Sequence, residues 1–243
     1  MDTQTISSDE QHRAASLREA EAKAVALFEE IARDLIRPGV GEKALNDEIH
    51  ELGQKRHNVQ THWHKRIVRS GPNTLQPFQE NPPDRTIEPG DLIVVDLGPV
   101  FEKWEADFGR TYIVPGGPSP DEDATAADKK KLVDALEPMW HKIKDLYLGN
   151  PDMTGEELFN LANFTATGAG YKWGAHLAGH IVGDFPHERI PRDKITNYVV
   201  PGNHQKISAL DKKGRKLHWI LEVHLRPQHE AYGAFFEQIL TVA

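Results

Sequence analysis

Five side chains able to bind a metal occur in a fixed order along the chain: Asp96, Asp107, His180, Glu222 and Glu237. Four carboxylates and one imidazole make a hard, oxygen-rich donor set. Such a set suits a pair of divalent ions such as manganese, iron, cobalt or zinc. Two ions held about 3.5–4 Å apart can generate hydroxide from water at neutral pH and polarise a carbonyl. The chemistry implied is hydrolysis, provided that the five residues converge.

Their spacing supports convergence. Asp96 lies in the apolar run Leu92-Ile93-Val94-Val95-Asp96-Leu97, and Asp107 precedes a second extended stretch ending Thr111-Tyr112-Ile113-Val114. A hairpin folded about Phe101 and Glu102 sets Asp96 opposite Asp107. Folding Trp219–Val223 onto Phe235–Leu240 about His229 and Glu230 likewise sets Glu222 opposite Glu237. Directly opposed residues share a face, with Cβ atoms roughly 4.5–5.5 Å apart. Facing carboxylates between apolar neighbours repel each other, and a coordinated cation removes that cost.

The elements that must position these strands follow from hydrophobic periodicity. A first helix is expected from Asp9 to Leu35, with Leu17, Ala20, Ala24, Leu27, Phe28 and Ile31 on its apolar face and Arg37-Pro38-Gly39 as its stop. A second runs from Glu42 to Arg56. His64 to Arg69 reads as a strand closed by Ser70-Gly71-Pro72-Asn73. After the linker Pro115–Pro120, a long helix spans Asp121 to Leu148, with a kink expected at Pro138. Thr154 caps a further helix, with Glu157 completing a capping box. The two halves repeat one plan at a spacing of about 113 residues: long helix, shorter helix, strands and carboxylate hairpin.

Composition bounds the rest. At 243 residues the chain reads as one catalytic domain over residues 1–243, with residues 1–36 as a leading helix. The formal charge of -8 makes nucleic acid an unexpected partner. There are no cysteines, so neither disulfides nor thiolate sites are available. The first residues lack the basic and apolar regions of a signal peptide, and no apolar run is long enough for a membrane span. A cytoplasmic location is the resulting expectation.

The segment Glu88-Pro89-Gly90-Asp91 through Asp96-Leu97-Gly98, the run Asp107-Phe108-Gly109-Arg110-Thr111, and Gly179-His180-Ile181-Val182-Gly183 followed by His187-Glu188 carry a specific resemblance. Together they resemble the methionine aminopeptidase, aminopeptidase P and creatinase family of metallopeptidases. The resemblance extends from Arg37 to the C-terminus and implies an α+β pita-bread fold, a pseudo-twofold repeat around a dinuclear metal site. It implies that Asp96 ligates one ion, that Asp107 and Glu237 bridge both, and that His180 and Glu222 ligate the second. It further implies a bridging water as nucleophile and Glu222 as its proton acceptor. His187 would hold the tetrahedral intermediate or polarise the carbonyl, and His176 would contact the substrate. A creatinase-type N-terminal domain is not expected. The substrate would be a short peptide or small molecule, and a homodimer is one candidate assembly.

Several positions depart from the family pattern. Phe78 stands where a histidine usually follows the Gly-Pro-Asn turn, Phe235 where Arg or Gln precedes the last ligand, and Val223 where Pro follows the fourth. These changes make the expected pocket more apolar. His62, His64 and His224 are additional polar side chains nearby and read as structural. Trp63, Trp104 and Trp173 read as core residues first and pocket walls second. The leading reading is a metal-dependent aminopeptidase or Xaa-Pro-type peptidase. The alternative is a non-peptidase member of the family, an amidinohydrolase or lyase acting on a small molecule. A metal-free binding module would require lost ligands, and all five are kept.

Overall fold

The structure is a computed structural model that describes residues 8–184 and 194–242. It opens with helix α1 (Ser8–Glu30), prolonged by one wider turn over Ile31–Leu35, and helix α2 (Glu42–Arg56). Strands β1 (Ile67–Ser70), β2 (Leu92–Leu97), β3 (Val100–Phe101), β4 (Trp104–Glu105) and β5 (Phe108–Ile113) follow. The second half has helices α3 (Ala124–Gly149) and α4 (Gly155–Gly168). Its strands are β6 (Lys172–Trp173), β7 (Ile181–Val182), β8 (His218–Arg226) and β9 (Ala234–Ile239). The expected helices therefore form, and the Thr154–Glu157 capping box is present. The helix is continuous through Pro138. The strand expected from His64 begins only at Ile67, which leaves His64 in the preceding loop.

The main sheet runs in the order β1-β2-β5-β9-β8-β6, with β7 also pairing with β8. Read outward from the β5–β9 seam, the first half contributes β5, β2 and β1, and the second contributes β9, β8 and β6. The expected internal repeat is thus visible as sheet order.

Each half has its own apolar core. Leu17, Leu27, Phe28, Ile31, Leu45 and Ile49 pack with Ile93, Val95 and Leu97 of β2. Leu136, Trp140, Ile143 and Leu158 pack with Trp219, Leu221 and Val223 of β8. Side chains alternate across a strand, so Asp96 and Glu222 must point away from the helices flanking their own strands. Trp140 donates its indole N–H to the Leu221 carbonyl at 2.9 Å, which seats α3 against the strand that carries Glu222.

The seam between the halves is held by the residues following Asp107. Strands β5 and β9 meet in antiparallel register at Gly109 and Glu237. A Cβ at residue 109 would lie 2.1 Å from the Phe235 ring, so only glycine lets that ring cross the seam. The Thr111 hydroxyl accepts from the Phe235 N–H at 2.7 Å and donates to the Phe235 carbonyl at 2.8 Å. The Arg110 guanidinium lies between the Phe108 and Phe236 rings, 3.7 Å from each centroid. It donates to the Glu237 carbonyl at 2.7 Å and to the Gln238 side chain at 2.6 Å.

Thr111→Val keeps the shape of the side chain but leaves two buried backbone groups of Phe235 without a partner. At about 1–3 kcal/mol for each orphaned group, the variant should lose about 2–6 kcal/mol of stability. Urea denaturation of both proteins checks this. A change below about 0.5 kcal/mol would mean that the hydroxyl does not hold the seam.

Candidate metal centre

The second hairpin forms in the expected register, with Glu222 paired to Glu237 across β8 and β9. The first does not. Asp96 faces Gly109, and Asp107 lies just ahead of β5. The small β3–β4 ladder pairs Val100 with Glu105 and Phe101 with Trp104, so the chain turns over Glu102 and Lys103. Glu102 takes the left-handed conformation, φ 59°, which a two-residue hairpin loop demands. Because the register moves by an even step, Asp107 remains on the same face as Asp96, diagonal to it instead of opposite.

His180 arrives from the other direction. The loop before it settles on β8, where the His180 carbonyl accepts from the Ile220 N–H at 3.0 Å and the Ala178 carbonyl accepts from the Glu222 N–H at 3.0 Å. Gly179 makes this approach possible. Its φ is +141°, and a Cβ there would lie 2.2 Å from the Ile220 carbonyl oxygen.

The five residues meet around Asp107. His180 Nε2 is 3.1 Å from Asp107 Oδ2 and 3.9 Å from Glu222 Oε1. Glu237 is within hydrogen-bond reach of Asp107. The Asp107, His180 and Glu237 donor atoms lie within 4.8 Å of one another, close enough to share an ion. Asp107, Glu222 and Glu237 are buried, and Asp96 is partly so.

Two histidines read as structural from the sequence also touch these carboxylates. His64 Nε2 is 3.0 Å from Asp107 Oδ1 and 3.6 Å from Asp96 Oδ1, and these three residues form a second group with donors within 4.8 Å. His224 Nε2 is 2.7 Å from Glu222 Oε2. The one sequence signal for His64 is its place just ahead of β1, whose Ile67 pairs with Asp96. For His224 it is the even spacing from Glu222, which puts both on one face of β8. Trp63 packs edge-on against both His64 and His180, at 4.7 and 5.2 Å between ring centroids, and so does wall the site. Trp104 is a core residue. His62 sits apart with His50, at 6.0 Å between ring centroids. His176 is exposed and, among the described residues, joins neither donor group. His187 lies outside the described residues.

The electrostatics show that these residues fit a cation. Burial, helped by Asp107 and Glu222, pushes Asp96 up to about 7, with His64 opposing. Burial and the neighbouring Asp107, Asp96 and Glu222 hold Glu237 well above the usual carboxylate range. Its Oε2 is buried without a hydrogen-bond partner among the described residues. Burial also opposes ionisation of Asp107, but His64 and His180 outweigh it and bring Asp107 below its ordinary value. Burial disfavours the charged imidazoles, yet the carboxylates raise both His64 and His180 to about 9. Protons therefore stand in for positive charge at a site crowded with oxygen donors.

Comparison with known proteins agrees with this geometry. The profile of metallopeptidase family M24 matches residues 15–242, and the chain belongs to that family. It is 30% identical over 174 residues to a Xaa-Pro dipeptidase of Lactobacillus delbrueckii subsp. lactis, covering 71% of this chain and 44% of that protein. The chain spans less than half the length of the curated relatives it matches. A prolidase from Thermococcus sibiricus superposes with a TM-score of 0.69 at 20% identity, over 94% of this chain and 56% of that one. Methionine aminopeptidase from Rickettsia prowazekii gives 0.64 at 15% identity, over 97% and 94%. The fold is the pita-bread fold. Among the described residues no helix is long and apolar enough to cross a membrane.

The metal-free protein should depend on pH in a definite direction. His64 and His180 have folded values near 9 against about 6.5 when unfolded, so they stabilise the fold below about 6.5 and cease to do so as pH rises through 9. Asp96, raised to about 7, acts in the same sense at lower pH. Asp107, lowered, contributes stability that is lost only as pH falls below its unfolded value. In chelator, Tm should fall between about pH 6 and 9, and added Zn²⁺ or Mn²⁺ should suppress that fall. Scanning calorimetry across this range, with and without metal, tests it. A metal-free Tm that stays level or rises with pH would contradict the assignment.

Proposed function

We propose that this chain is a metal-dependent hydrolase of the aminopeptidase or Xaa-Pro peptidase type. The observation that carries the reading is the convergence of Asp96, Asp107, His180, Glu222 and Glu237 in a chain whose family is shown. The names of the curated relatives support the reaction class. Asp96, Asp107, His180, Glu222 and Glu237 would hold two divalent ions. When bound, such ions lower the pKa of water and polarise a carbonyl.

The protein's own groups have separable tasks. His224 holds Oε2 of Glu222, which leaves Oε1 on the side of His180. Held in this way, Glu222 would accept a proton from the attacking water. Trp63 packs against His64 and His180 and forms a wall on that side of the site.

Phe78 and Phe235 favour a particular substrate within this class. Phe78 packs edge-on against His64 at 5.7 Å between ring centroids, and Phe235 lies tilted against His224 at 4.6 Å. Neither ring can shuttle a proton or hold a charged terminus. Both favour a compact apolar group beside the scissile bond. The same two residues support the second reading, a small-molecule enzyme that has left peptides.

The test is a screen of dipeptides and small amides with Mn, Co, Fe and Zn. Asp107→Ala should abolish both tight metal binding and turnover. Met-peptides and Xaa-Pro dipeptides should be weak substrates, and Phe78→His should improve them. Wild-type kcat/KM of roughly 10⁴ M⁻¹s⁻¹ or more on such peptides would remove the argument from Phe78 and Phe235. Metal-loaded protein that cleaves no amide at all would remove the peptidase reading.

A further inference from the structure

His64 and His180 are held in the same way on opposite sides of Asp107. His180 Nδ1 is 2.8 Å from the carbonyl of the next residue, Ile181, and its Nε2 is 3.1 Å from Asp107 Oδ2. His64 Nδ1 is 2.7 Å from the carbonyl of its own next residue, Lys65, and its Nε2 is 3.0 Å from Asp107 Oδ1. A carbonyl only accepts, so Nδ1 carries the hydrogen in both rings. In the neutral ring Nε2 then presents a lone pair to carboxylate oxygens. Acceptors facing each other at hydrogen-bond distance need a cation between them or a proton on the nitrogen. A backbone carbonyl on the remote nitrogen is the usual means of orienting a metal-bound histidine.

The surroundings are shaped to keep the His64 ring in place. A Cβ at residue 98 would lie 2.3 Å from His64 Cδ2 and 2.6 Å from its Nε2, so the position must be glycine. Trp63 packs against the edges of both imidazoles, and Phe78 packs against His64. The His64 side chain is 8% exposed. The donor atoms of His64, Asp96 and Asp107 lie within the same 4.8 Å that groups Asp107, His180 and Glu237.

We infer that His64 is a sixth protein ligand, binding through Nε2 the ion that Asp96 and Asp107 hold. This rests on the metal centre proposed above. It changes that centre in two respects. The Asp96 side of the site becomes a mixed nitrogen and oxygen set, which favours zinc, cobalt or iron over magnesium or manganese. It also fills a coordination position that would otherwise be open to water or substrate.

The competing arrangement is a protonated His64 that serves only as a countercharge to the carboxylates. Zinc X-ray absorption on the full chain, stripped with chelator and reloaded with Zn²⁺, separates the two, because the spectrum counts imidazoles around the metal. The wild type should show two imidazoles per protein molecule, and His64→Gln and His180→Gln should each show one. Competition titration with a zinc chelator should find affinity lowered by more than roughly 10-fold in His64→Gln. Wild-type protein that binds zinc through a single imidazole overturns the inference while leaving the metal centre intact. So does His64→Gln with undiminished affinity. Wild-type protein that binds no zinc, manganese or cobalt overturns the metal centre and the inference together. The wild-type imidazole count is decisive even where a variant fails to fold.

Discussion

Four carboxylates brought together in a largely enclosed site are the constraint around which the structure is arranged. Left alone they repel one another and lose hydration, and either effect costs more than one pair of apolar contacts returns. The chain answers with two imidazoles whose carboxylate partners hold them positive to about pH 9. It leaves one buried oxygen of Glu237 without any partner among the described residues. Protons satisfy such a site only in part, because they neutralise one oxygen at a time. A divalent cation satisfies several oxygens at once. The site is therefore destabilising on its own and completed by a ligand, which is the usual relation between folding and function at a metal centre.

That constraint explains why the seam between the halves is so heavily braced. Asp107 and Glu237 come from different halves, and their strands meet in register at Gly109 and Glu237. A seam with two like charges at its edge would open unless something else held it. Thr111 bonds both backbone groups of Phe235, and Arg110 bonds the Glu237 carbonyl while lying between two aromatic rings. Burial lowers the Arg110 guanidinium to about 10, which still leaves it charged at neutral pH. The run from Asp107 to Thr111 thus places the ligand and secures the strand that presents it.

The fold and the five-residue set were legible because both rest on patterns with a fixed period. Helical spacing located α1 to α4, and alternation along β8 and β9 set Glu222 against Glu237 correctly. The first hairpin was misplaced because its register depends on Glu102 in a left-handed turn, and no glycine or asparagine there announces it. The face of Asp107 was still right, since an even slip preserves parity. His64 was read only as a structural neighbour of the site because it precedes its strand, in a loop where no periodicity assigns a face. His224 was legible in principle, as it shares the face of Glu222, but a single histidine on a strand has many structural uses.

Phe78 and Phe235 belong together with the two histidines that the sequence suggested only as structural neighbours of the site. The Phe78 ring packs against His64. The Phe235 ring packs against His224. Each histidine in turn touches a carboxylate of the centre, His64 at Asp107 and His224 at Glu222. An aromatic ring thus backs each of these two imidazoles. A ring packed on an imidazole limits its rotation and shields it from water, which strengthens its contact with the carboxylate beyond it. The two rings therefore steady the histidines that touch the centre and make the face it offers a substrate apolar. Both consequences come from the same two rings, so the hold on the metal and the choice of substrate are coupled at Phe78 and Phe235.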